Sequence, residues 1–276
     1  MSDFMEIGRY KDITLRLPKN IPYSFFNSPY PAHRERGAVD VYFPSEALFP
    51  CDHGKVVEIK YFRSPKIRKD SSSIEPLILI DLGDIFLKVL HVEPRVKVGE
   101  KLFLGDPLGN IIVSGYLYYW SDPHAHFELR PKNDPYRARG TIPINPTFLQ
   151  VVKGSLSFEF KVVKVREHYV LAKPIGGEPS LGAIGNTSFC VDGGIPHYGY
   201  YGIVGKGNFL IPGEVSGSIV LTDDLKIYAN NMRIRGIGTL LGTNLVKIIP
   251  ISTTDEFFKG ETLNITFAVN SCLHKP

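Results

Sequence analysis

The sequence predicts an all-β protein of two domains, and three observations predict it. Glycine (26), proline (21), tyrosine (14) and phenylalanine (17) are abundant, and these residues set turns or pack on pleated surfaces. Long stretches with the 3.6-residue apolar period of helices are missing. Short runs of period-2 alternation recur instead, bounded by Pro, Gly, Asn or Asp. At 276 residues, 43% of them hydrophobic and 22% charged, the chain can bury a sizeable core in one large or two medium domains.

In chain order, Ile13, Leu15 and Leu17 alternate as a short strand before Pro18, and Pro22 and Pro31 break the segment that follows. Residues 37–44 read as a strand ended by Pro44, 49–54 as a turn, and 55–61 as a strand. The polar stretch 63–75, with Ser71-Ser72-Ser73, reads as a loop. Strands are expected at 77–81, 85–92 and 101–104, a turn at 105–109 and a strand at 111–114. The aromatic run 115–120 then leads into Asp122-Pro123-His124-Ala125-His126-Phe127-Glu128-Leu129-Arg130. Residues 131–146 contain four prolines and close the first domain, 1–147. The second domain, 148–276, has strand patterns at 156–165, 168–172, 215–221, 226–228, 245–249 and 263–268. The dipeptides Asp223-Asp224 and Asn230-Asn231 read as turns between strands.

Composition removes several function classes. A net charge of +4 is mild, and the densest basic run, Lys66-Ile67-Arg68-Lys69, reads as a solvated loop, so no nucleic-acid partner is expected. Cys51, Cys190 and Cys272 are far apart with no CxxC spacing, against a disulfide framework or a cysteine zinc site. No stretch approaches the ~20 apolar residues of a transmembrane span. Met1 to Glu6 lack a basic or apolar leader pattern, so a cytoplasmic location is expected, with export left open if the chain is trimmed. GxSxG, GxGxxG and P-loop patterns are absent.

The chemistry concentrates at residues 124–128. Strict alternation puts His124, His126 and Glu128 on one face of a strand, and Ala125, Phe127 and Leu129 on the other. Eight histidines scattered at random would give about 0.2 His-x-His pairs. Two imidazoles on one rigid face can hold a metal together, or divide the work between ligation and proton transfer. His33, Asp40 and His91 recur at ends of other strand patterns in this half. Glu128 suits either a partner to a ligand imidazole or an exposed position. Tyr116, Tyr118, Tyr119 and Trp120 suit either a groove wall or plain packing. His53, His168, His197 and His274 have no acid at ligand spacing and read as structural or surface residues, and Cys51 as a small buried one.

Four blocks in order give residues ~30–147 a resemblance to the lysostaphin-type (LytM-like) zinc metallopeptidases, which cut peptide bonds in bacterial cell-wall peptidoglycan. They are His33 followed by Gly37 to Pro44 and the turn Phe49-Pro50-Cys51-Asp52-His53-Gly54-Lys55-Val56-Val57; Val89-Leu90-His91-Val92; Val96 to Gly109; and Pro123-His124-Ala125-His126-Phe127-Glu128-Leu129-Arg130. The resemblance implies an antiparallel β-sheet metallopeptidase domain of the duplicated-hybrid-motif kind, followed here by a β-rich accessory domain. It implies Zn2+ held by His33, Asp40 and His126, with His91 and His124 as catalytic residues, acting on a peptide or peptidoglycan-like substrate that includes glycine-containing peptides. One departure stands out: the family pairs its first ligands as His-x3-Asp, whereas here the spacing is His33-x6-Asp40, and Arg36 sits four before Asp40. The alternative is a catalytically inactive LytM-like binding or scaffold protein, if that longer spacing fails to return His33 to the metal.

Overall fold

The computed structural model describes residues 3–207 and 211–269; Cys272 and His274 lie outside them. The chain divides into two compact units, Met1–Phe25 with Tyr30–Thr147, and Phe26–Pro29 with Phe148–Pro276. Both are β, and among the described residues the one α-helix is a single turn. No helix there is long and apolar enough to cross a membrane.

The first unit contains β1 (Phe4–Tyr10), β2 (Ile13–Pro18), β3 (Tyr23–Ser24), α1 (Pro31–Arg34), β4 (Ala38–Val41), β5 (Glu46–Leu48), β6 (His53–Arg63), β7 (Ile74–Asp81), β8 (Ile85–Leu90), β9 (Val92–Pro94), β10 (Lys101–Phe103), β11 (Pro107–Ile111), β12 (Ala125–Pro131) and β13 (Asn145–Pro146). Seven strands make one antiparallel sheet in the order β10-β6-β7-β8-β12-β4-β3, and β13-β1-β2 and β5-β11-β9 make two small ones. The strand carrying His126 therefore sits between β8 and β4 and is covered on both faces. Ala125, Phe127 and Leu129 are fully buried on one face, while His126, Glu128 and Arg130 are buried on the other. A buried polar face needs partners for every group, and that demand organises this unit.

The second unit contains β14 (Val152–Gly154), β15 (Glu159–Val165), β16 (Val170–Pro174), β17 (Glu178–Ser180), β18 (Phe189–Ile195), β19 (Tyr200–Gly205), β20 (Glu214–Ser216), β21 (Ile219–Leu221), β22 (Leu225–Ala229), β23 (Met232–Thr239), β24 (Val246–Pro250) and β25 (Thr262–Val269). Strands run β23-β22-β25-β15-β16-β24, and a further β23–β24 pairing closes that set into a barrel. Phe160, Val162, Ile227, Ile237, Ile248 and Leu263 pack in its core. Asn230 and Asn231 both adopt left-handed φ, 48° and 67°, so the dipeptide makes the two-residue turn that matches strand twist between β22 and β23.

Several local expectations change. Residues 107–109 belong to β11 rather than to a turn, and Ser114 lies beyond its end. The run at 215–221 is a hairpin, β20 and β21, folded at Gly217, which has φ +63°. The Gly/Tyr-rich stretch from Gly193 to Gly202, which from sequence suits either a recognition loop or irregular packing, straddles β18 and β19. Its glycines have a packing cause: a Cβ on Gly202 would lie 2.0 Å from the Phe26 ring, and one on Gly193 2.8 Å from the Phe26 carbonyl oxygen. Tyr200 donates to the Ser28 carbonyl at 2.6 Å in the same place.

Candidate metal centre

Strand register builds the site. On β12, His126 pairs directly with Asp40 on β4 and with Leu90 on β8, one residue before His91. Glu128, two residues on, pairs with Lys88. Directly opposed residues share a face, so Asp40 meets His126 through the register of β12 with β4, and Lys88 meets Glu128 through its register with β8.

His33 arrives by a different route. Pro31 opens α1 at a position suited to its fixed φ. The turn ends when Gly37 N donates to Ala32 O at 2.8 Å and Arg36 N to His33 O at 2.9 Å. This is the Schellman pattern, with Arg36 in the left-handed position (φ 63°) that glycine usually fills. The reversed chain is held from outside: Glu35 Oε2 accepts from Gly140 N at 2.8 Å and from Thr141 N and Oγ1 at 3.1 Å. A Cβ on Gly37 would fall 2.1 Å from Thr141 Oγ1, so only glycine fits there. The six residues between His33 and Asp40 thus fold into a tight return instead of running ~3.3 Å per residue away as a strand would.

Three ligand atoms converge as a result. His33 Nε2 lies 3.2 Å from His126 Nδ1 and 3.2 Å from Asp40 Oδ1, and His126 Nδ1 lies 2.9 Å from Asp40 Oδ1. Tetrahedral zinc with bonds of about 2.0–2.1 Å puts neighbouring ligand atoms about 3.3 Å apart. The triangle is a few tenths of an ångström tighter than such a face, and all three residues are buried.

Proton positions agree with that fit. His33 Nδ1 lies 2.8 Å from the Phe25 carbonyl, which can only accept, so this nitrogen carries a hydrogen, and in the neutral ring the lone pair is on Nε2. Glu128 Oε2, 3.5 Å from His126 Nε2, favours a hydrogen there and a lone pair on Nδ1. Two lone pairs and a carboxylate oxygen then face one another, an arrangement that calls for a cation or a proton between them. The titration behaviour reflects this. Burial pulls the His126 imidazole down, but Asp40 and Glu128 outweigh it and push it up to about 9. Burial would raise the Asp40 carboxyl, yet His124, His33 and His126 hold it well below the usual carboxylate range.

Around the triangle stand the two other histidines. His124 Nδ1 donates to Asp122 O at 2.8 Å, and its Nε2 lies 3.4 Å from Asp40 Oδ2. Burial, aided by His91 and opposed by Asp40, pulls His124 down to about 4. The His91 ring lies 5.2 Å from the His124 ring and 5.8 Å from that of His126. Tyr42 packs beside His124 at 5.1 Å between ring centres, and Tyr116 beside His91 at 6.5 Å. All five residues singled out from the sequence, His33, Asp40, His91, His124 and His126, therefore lie in one cluster.

Two further layers surround the cluster, and of their residues the sequence singles out Glu128 alone. Glu75 Oε1 accepts from His91 N at 2.6 Å and from His91 Nδ1 at 2.8 Å, while Ser114 Oγ donates to Oε2. These bonds outweigh burial and lower the Glu75 carboxyl. Behind His126, Glu128 ion-pairs with Lys88 and accepts from Arg130 at 3.1 Å. Arg130, fully buried, also donates to the carbonyls of Asp134 and Arg139. Glu128 thus takes the partner role rather than the exposed one. Tyr118 stacks on Trp120 with ring centres 5.0 Å apart, and Tyr118 and Tyr119 are exposed. His53 is exposed and Cys51 buried.

Residues 14–146 match the family model of the N-terminal domain of a domain of unknown function, DUF8155, and residues 157–268 match that of its C-terminal domain. The chain carries both domains of that family, in order. No curated protein and no solved structure matches it.

Proposed function

We propose that this DUF8155 chain is a zinc-dependent metallopeptidase that hydrolyses peptide bonds, with His33, Asp40 and His126 as metal ligands. The observation that carries the reading is the buried triangle of His33 Nε2, Asp40 Oδ1 and His126 Nδ1, with edges of 2.9–3.2 Å. Zinc bound there would supply Lewis acidity, bringing a water toward a pKa of about 7 and polarising a carbonyl. The remaining roles fall to side chains. His124 keeps its Nε2 lone pair because Nδ1–H is engaged by Asp122 O, so it can accept the water proton and pass it to the leaving amine. His91 offers a second imidazole beside it for the developing charge on the carbonyl oxygen. Tyr42 and Tyr116 flank these two rings and suit contact with a peptide. The resemblance in the sequence points to glycine-containing or cell-wall peptides as the substrate class.

The test is metal analysis of the purified chain together with hydrolysis of a fluorogenic pentaglycine peptide. About one equivalent of zinc, and cleavage abolished by a chelator and restored by added zinc, is the expected result. Absence of zinc from folded protein overturns the reading. A second reading, an inactive relative with a structural metal, draws on the deep burial of the ligands, since structural zinc sites are closed and catalytic ones keep an open position. One equivalent of zinc with no peptide cleaved would select it.

A further inference from the structure

We propose that Glu75 is a positioning residue for His91, fixing that imidazole as the Nδ1–H tautomer so that Nε2 carries the lone pair offered to the reaction. The inference rests on the peptidase reading for its catalytic consequence, but not for the tautomer itself. His91 directly follows β8 and has φ +66°, a left-handed conformation rare for a residue with a Cβ. Such strain persists only where the surroundings enforce it. Here the enforcing group is visible: one oxygen of Glu75 takes both the backbone N–H and Nδ1 of His91, at 2.6 and 2.8 Å. The second oxygen is held by Ser114 Oγ. Glu75 is itself fully buried, so the carboxylate cannot swing away to water.

The pairing has a topological cause. Leu77 on β7 pairs with Leu90 on β8, which brings the start of β7 alongside the residue that follows β8. Glu75 therefore reaches His91 from the adjacent strand rather than from its own loop. An ionised carboxylate can only accept. Of the two neutral tautomers it selects the one with hydrogen on Nδ1, which has its lone pair on Nε2, on the opposite edge of the ring. A carboxylate that holds a catalytic imidazole in one tautomer is a known device of acid–base catalysis.

Imidazole nitrogen NMR on the zinc-loaded chain, with His91 assigned by its loss in His91→Ala, reads the tautomer directly. Hydrogen on Nδ1 is the expected result, and hydrogen on Nε2 overturns the proposal. Glu75→Gln keeps an oxygen for both His91 donors, so the Nδ1–H tautomer should persist in it. Glu75→Ala should let the Nε2–H form appear at unchanged zinc content. With the pentaglycine peptide, Glu75→Ala should lower kcat by about 10²-fold or more with KM within threefold, and Glu75→Gln should restore kcat to within tenfold of wild type. Wild-type kcat in Glu75→Ala overturns the positioning role. If the wild-type chain cleaves no peptide, the peptidase reading fails while the tautomer measurement still decides what Glu75 does. Should Glu75→Ala not fold, the wild-type spectrum and Glu75→Gln decide alone.

Discussion

The two units bury their interiors in opposite ways. In the first, His33, Asp40, Glu75, Lys88, His91, His124, His126, Glu128 and Arg130 are all buried. In the second, among the described residues, Asp192 and Lys247 are the charged side chains buried, and the barrel core is aliphatic and aromatic. Burying a charge is costly unless it is paired and hydrogen-bonded. An apolar barrel is the cheaper way to hold strands together, as the second unit demonstrates. The polar face of β12 is thus not a requirement of β architecture, and it is kept by a set of partners, from Asp40 and Lys88 to the Asp134 carbonyl, that the second unit does without.

That contrast can be broken at its strongest point first. Asp40→Ala removes the proposed anionic ligand and should drop zinc from about one equivalent to under a tenth, with hydrolysis lost; metal analysis of folded protein checks it. His124→Ala should retain zinc and lose about 10²–10⁴ in rate, read with the pentaglycine peptide. On the apolar side, Phe160→Ala in the barrel should destabilise by about 3–5 kcal/mol in denaturant unfolding, while zinc content stays as in wild type.

The smallest effect sharpens the contrast through pH. His197, with both ring nitrogens sealed from solvent, is pulled down by burial to about 3. Its folded value lies below the unfolded one of about 6.5, so above pH 6.5 it stays neutral in both states and changes nothing. Below 6.5 the unfolded chain takes a proton that the folded one refuses until about pH 3, so stability falls across that window. Calorimetry between pH 7 and 4 should record a falling transition temperature, with a shallower slope in His197→Gln.

What the sequence disclosed follows from the period of a strand. Alternation alone puts His124, His126 and Glu128 on one face, and the all-β class follows from turns and patterning. The return of His33 was hidden because Arg36, not glycine, takes the left-handed turn position. Glu75 and Ser114 were hidden because only the β7–β8 pairing and the path beyond β11 bring them to His91; locally Glu75 reads as the end of a polar loop. The strands β18 and β19 were obscured by glycines that are there to admit Phe26.

The β23–β24 pairing that closes the barrel also sets a timetable for synthesis. The ring needs β25, Thr262–Val269, between β22 and β15, so a nascent chain cannot complete it until residue 269 has left the ribosome. The first unit faces no such delay, since its own last strand, Asn145–Pro146, already pairs with β1. The first unit can therefore close its sheet while the second is still being made.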